Sequence, residues 1–179
     1  MLNPDNTVLA LIDIQGKLAS LMHQKEQLYR NLEILIKGIQ VLEVPVLWLE
    51  QYPQGLGPTI PEVAELLPGR QPMAKLCFSA CGLPEFSQAL RAGGRRRVLL
   101  AGIEAHICVY QTCREQLDQG YQVEVVADAV SSRTAENKQL GLDRMVQAGA
   151  VRTGVEMALF ELLRVAGTPQ FKEIARLVK

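Results

Sequence analysis

The chain has 179 residues, and its 19 basic and 19 acidic side chains cancel to a formal charge of +0. That length fits one domain over 1–179, large enough to bury roughly two-thirds of its unfolded surface without help from a metal or a disulfide. The 48% apolar content argues against disorder, and the balanced charge gives no reason to expect nucleic acid or a membrane surface as partner.

In chain order, residues 7–12 form a continuous apolar run ending at Asp13, as expected of a strand buried on both faces. Over 24–43, Leu28, Leu32, Leu35, Ile36, Ile39 and Leu42 repeat on one helical face. Pro45 then marks a break into a second strand, Val46 to Leu49. Residues 51–72 carry Pro53, Gly55, Gly57, Pro58, Pro61, Pro68, Gly69 and Pro72. They read as a long loop with at most a short turn around 61–67, and loops of that length usually serve function. A short helix over 84–92 ends at Gly93. Arg95, Arg96 and Arg97 follow and read as a solvated turn before a third strand, 98–101, closed by Gly102. A helix over 106–119, a fourth strand over 123–127 closed by Asp128, and a helix over 134–148 come next. Val151 marks a brief fifth strand, and helices are expected over 155–165 and 169–178. Alternation of strand and helix means a doubly wound α/β fold, a parallel sheet with helices on both faces. Ligands bind such sheets beyond the carboxyl ends of the strands.

Asp13 and Glu50 stand at two of those ends, Cys108 opens the helix after the third strand, and Lys75 closes the long loop. A helix start and a nearby cation both favour a thiolate, so Cys108 is a candidate nucleophile with a lowered pKa. First-turn N–H groups can hold an oxyanion, and Asp13 can move the thiol proton. The two histidines fit other chemistry less well. His23 sits in a polar, exposed-looking stretch, and His106 lies awkwardly close to Cys108 for a Cys–His dyad. No H-E-x-x-H, P-loop, G-x-G-x-x-G or G-x-S-x-G is present. No cofactor is expected. The four cysteines lack paired C-x-x-C spacing and read as free thiols. No run reaches the ~18 apolar residues of a membrane helix. No basic region leads into an apolar stretch near Met1, so a cytoplasmic location without a signal peptide is expected.

Four segments together resemble the isochorismatase-like cysteine hydrolases. They are Ala10 to Gln15, Lys75 ahead of Phe78-Ser79, Gly102 to Val109, and Val126 to Ala129 followed by Ser131-Ser132-Arg133. The resemblance implies a six-stranded parallel sheet in a three-layer sandwich and a catalytic triad of Asp13, Lys75 and Cys108. It further implies a cis peptide between Ile103 and Glu104, and an oxyanion hole from the N–H groups of Glu104 and Cys108. Gln15, Gln51, Tyr52, Phe78 and His106 are candidates for the substrate pocket. Zinc-binding nicotinamidases of this family carry an Asp-x-His after the second strand. This chain has Glu50-Gln51-Tyr52-Pro53 there, so no metal is expected and nicotinamide is disfavoured. Members that cleave isochorismate lack the nucleophilic cysteine, so Cys108 argues against vinyl-ether cleavage; the leading expectation is hydrolysis of a small amide through a thioester. The family also implies self-association into a homo-oligomer, with a small molecule as the other partner. The rival readings are a binding or assembly module with a relic triad, and a redox switch pairing Cys108 with Cys113 or Cys77 with Cys81.

Overall fold

The computed structural model describes all of residues 1–179. Six strands form one sheet: β1 (Thr7–Ile12), β2 (Val46–Gln51), β3 (Met73–Lys75), β4 (Arg97–Ile103), β5 (Gln122–Ser131) and β6 (Val151–Thr153). The spatial order is β3-β2-β1-β4-β5-β6, and all pairings are parallel. The chain steps from β1 outward through β2 and β3, then returns to the other side of β1 with β4. The reversal falls between the two central strands, and a crevice opens there at their carboxyl ends.

Every residue of β1 is buried, which explains its unbroken apolar run. Leu9 and Leu11 point into one core layer, and Val8, Ala10 and Ile12 into the other. The first layer is covered by α2 (Lys25–Val41) together with two later helices, Val155–Leu163 and Pro169–Leu177. Leu28, Leu32, Leu35, Ile36 and Ile39 form the buried stripe of α2, as their spacing requires. The second layer is covered by the helices Pro84–Ala92, Tyr110–Asp118 and Ala135–Gln147, through Phe86, Leu90, Cys113, Leu142 and Met145. No helix is long and apolar enough to cross a membrane.

Several elements differ from the sequence-based expectation. Gly16–Ser20 forms a short helix, α1, and Pro53–Leu56 another, α3, inside what read as irregular chain. Pro61–Ala64 is a further turn of helix, as expected near 61–67. Helices this short complete too few turns to show a period. The strand absent from the pattern, β3, has only three residues and is invisible for the same reason. Gly102 does not close β4 but lies within it at φ 122, where a side chain would collide with the backbone oxygen of Ile12. That glycine lets β4 press against the end of β1. β5 runs past Asp128 to Ser131, with a register shift opposite Leu100 and Gly102. The arginine run is not simply solvated. Arg95 donates to the carbonyls of Pro4 and Thr7 and pins the first residues, and Arg97 pairs with Glu124 at 3.5 Å.

Candidate active site

Asp13 leaves β1 with φ 54, a left-handed conformation that turns its carboxyl across the ends of the neighbouring strands. It is 2% exposed. Its Oδ2 accepts a hydrogen bond from Lys75 Nζ at 2.7 Å, and Oδ1 has no partner within hydrogen-bond distance. Lys75, also 2% exposed, ends β3. Its ammonium donates further to Gln51 Oε1 at 2.7 Å, to Phe78 O at 3.0 Å and to Cys77 O at 3.3 Å. A buried ammonium needs this many acceptors to persist as a charge.

The peptide bond between Ile103 and Glu104 is cis. After it, Ala105–Val109 forms one π-type turn that runs into the helix Tyr110–Asp118. Cys108 sits in this turn, 7% exposed, with Sγ 4.0 Å from Gln51 Oε1. The turn is held from behind by the helix Ala135–Gln147. A Cβ on Gly141 would lie 2.6 Å from the carbonyl carbon and oxygen of Ala105, so only glycine allows this approach. The Glu104 carboxylate accepts from both Arg133 N and Arg133 Nε at 3.1 Å.

Electrostatics correct one expectation. Burial, reinforced by the Asp13 charge and opposed by Lys75, pushes the Cys108 thiol up to about 12. The site therefore rests with sulfur protonated, not as a thiolate. Asp13 is itself raised above the ordinary carboxylate range, because burial outweighs the pull of Lys75. Its unpartnered Oδ1 is then a base of enhanced proton affinity beside a thiol. All four cysteines are free, and burial raises Cys81 to about 11 and Cys113 to about 12.

A crevice of about 90 Å³ opens over Cys108. Asp13, Gln51 and Glu104 join the sulfur on its polar side, and Leu18, Leu56, Phe78, Ile103 and Ile107 form the apolar wall. A larger hollow of about 450 Å³ lies at the opposite end of the sheet, among Arg91, Arg95, Arg96 and Tyr121. It offers no nucleophile or carboxylate, so the smaller crevice is the candidate site.

The structure brings Asp13, Lys75, Cys108, Glu104, Gln51 and Phe78 together and leaves three expected pocket residues elsewhere. Gln15 is fully buried as a clamp. Its Nε2 donates to Gln51 O at 3.1 Å and Gly57 O at 2.7 Å, and its Oε1 accepts from Gln51 N at 2.6 Å. Tyr52 is 50% exposed and packs its ring against Gly55 rather than the crevice. His106 points to Ser132, with Nδ1 2.9 Å from its Oγ. Glu50 lies inside β2 and not at its end; its Oε1 accepts from Thr59 N at 2.6 Å and Thr59 Oγ1 at 2.7 Å. Sequence reasoning missed Leu18, Leu56, Ile103 and Ile107, and no polar signature marks such wall residues.

The isochorismatase domain family matches residues 7–157. The chain is 42% identical over 177 residues to human isochorismatase domain-containing protein 2, spanning 98% of this chain and 84% of that protein. It is 39% identical over 181 residues to the secreted isochorismatase effector Isc1 of Phytophthora sojae, spanning 98% and 86%. Among solved structures, the MAR1 ribonuclease of Caenorhabditis elegans superposes with a TM-score of 0.92 at 37% identity, covering 99% of this chain and 91% of that one. With the fold and these matches together, the chain belongs to the isochorismatase family.

Proposed function

We propose that this protein is a cysteine hydrolase of small amides, with Cys108 as nucleophile and Asp13 and Lys75 completing a triad. The observation that carries the reading is a thiol and a carboxylate with a free oxygen lining one crevice, with a buried ammonium fixed on the other oxygen behind them. These groups lie far apart in the chain and serve no evident structural need, since a buried ion pair is weak support for stability.

Because sulfur rests as a thiol, attack and deprotonation are coupled. Asp13 Oδ1 takes the proton as Cys108 Sγ bonds to the carbonyl carbon. The N–H groups of Glu104 and Cys108 hold the developing oxyanion. Asp13 returns the proton to the leaving nitrogen, and a thioester remains. Water, activated by the same carboxylate, then releases the acid. Lys75 keeps Asp13 oriented and ionised against its burial. The open volume above the sulfur favours this reading over a binding module with a relic triad. RNA cleavage, suggested by the name of the nematode protein, fits the crevice less well, because its lining holds the Asp13 carboxyl and no lysine or arginine to meet a phosphodiester.

Incubation with small amides, followed by intact-mass measurement, should reveal an acyl adduct on Cys108. Cys108→Ala should abolish both adduct and ammonia release. Turnover persisting in that variant would end the proposal.

A further inference from the structure

The acidic residues of the crevice are paired with cations that do not line it. Asp13 and Glu104 belong to the lining, but no lysine or arginine does. Lys75 is fully enclosed and spends its donors on Asp13, Gln51 and two backbone carbonyls. Arg133 is held on the outer side of Glu104. The rest of the wall is hydrocarbon. Two of its members come from the short helices α1 and α3, which carry Leu18 and Leu56. These helices are locked to one another: Gly16 N donates to Pro58 O at 3.1 Å, and a Cβ on Gly16 would strike Leu56 O. Gln15 ties the same corner to β2. The wall is thus built, not a loose surface.

Resting on the cysteine-hydrolase reading, we infer that the site selects a small, neutral, carboxylate-free acyl group, with Leu18, Leu56 and Ile107 as the specificity-determining wall. An entering carboxylate would lose its water, find no cation on the lining and meet the unpartnered Oδ1 of Asp13, so it is rejected by desolvation and repulsion together. An alkyl group of the same shape loses only unfavourable contact with water. For such a substrate the S–C bond forms as the carbonyl π bond opens to the oxyanion; the oxyanion then collapses, the C–N bond breaks, and ammonia leaves carrying the thiol proton that Asp13 returns. Water then cleaves the thioester to the free acid and restores the thiol.

Two isosteric pairs test this. Iodoacetamide and iodoacetate differ in charge but hardly in size, and both alkylate sulfur without needing turnover. The rate ratio at Cys108, read by peptide mass and divided by the same ratio for 2-mercaptoethanol, should favour the amide by about 100-fold or more. Leu56→Lys puts an ammonium on the wall and should reduce that preference at least about tenfold. A normalised ratio within about threefold of unity overturns the inference, as does a Cys108 inert to both reagents. Isovaleramide and malonamate form the second pair, because an isopropyl group and a carboxylate have nearly one shape. Ammonia release from isovaleramide alone supports the inference, and equal release from malonamate overturns it. Discrimination in alkylation with no ammonia from either amide would retire the hydrolase reading while leaving charge selection standing, so the two failures are distinct.

Discussion

Replacing Lys75 with methionine keeps most of the side-chain volume but removes the charge and the donors to Asp13, Gln51 Oε1 and the carbonyls of Cys77 and Phe78. Lys75 and Asp13 are each 2% exposed and meet at 2.7 Å, and no other cation is within ion-pair distance of Asp13. Breaking a buried pair by deleting one partner costs about 3–5 kcal/mol when the other charge is stranded. For a chain of this size each kcal/mol shifts Tm by roughly 2–4 °C, so a fall on the order of 10 °C is expected at pH 7.5. The loss must depend on pH with a defined sign. Asp13 already has a raised native pKa, and losing Lys75 raises it further, because the ammonium is the largest lowering influence. A carboxyl whose native pKa exceeds its unfolded value favours the fold when protonated. Its contribution is complete below the unfolded value, near ~3.9, and disappears as pH rises through the native one. Lys75→Met should therefore be least destabilising at acid pH and increasingly destabilising as pH rises from the ordinary carboxylate range through the raised native pKa of Asp13. Urea unfolding of the wild type, Lys75→Met, Asp13→Asn and the double variant across pH 4.5–8 measures this. Asp13→Asn should restore a measurable part of the stability lost in Lys75→Met, because the stranded charge is gone while the other acceptors of Lys75 stay unpaired. If Lys75→Met unfolds with the wild-type midpoint at pH 7.5, or the double variant is no better than the single, the ion pair does not matter as argued.

Three further outcomes are expected. Alkylation of Cys108 by iodoacetamide should be slower than that of a free thiol at pH 7 and still climbing at pH 9–10, since burial and Asp13 push its thiol to about 12; a plateau near neutrality would contradict this. Gly141→Val should cost roughly 2 kcal/mol or more and reduce the proposed turnover together, because the new side chain overlaps the Ala105 carbonyl and displaces the turn that carries Cys108; wild-type kinetics at wild-type stability would exclude such contact. Gln15→Leu should cost about 1–3 kcal/mol by leaving Gln51 N and Gly57 O unpaired, and should speed amide hydrogen exchange at Gln51 in particular.

The sheet was legible because its central strands are buried on both faces. The run 7–12 and the stripe of α2 need no tertiary information to be recognised. What stayed hidden depends on contacts between distant segments. Three residues of β3 become a strand only by pairing Met73, Ala74 and Lys75 with Leu49, Glu50 and Gln51. The site was half legible. Asp13, Lys75 and Cys108 advertise chemistry by residue type and by position after strands. Gln15 advertises it equally but serves as a clamp, and no sequence pattern separates a glutamine that binds substrate from one that binds backbone. The ionisation of Cys108 was misread for a related reason. Helix position and a cation were visible along the chain, whereas the degree of enclosure, which outweighs them, exists only once the fold has closed.

The placement of Lys75 on β3 has a kinetic cost. Asp13 and Cys108 hang from the two innermost strands, but Lys75 hangs from an outer one of three residues, bonded on one side only. Such a margin detaches at lower free energy than the centre of a sheet. Mild denaturant should therefore abolish the proposed amide hydrolysis while the circular dichroism is still native, a reversible inactivation that begins at the rim and leaves the middle intact.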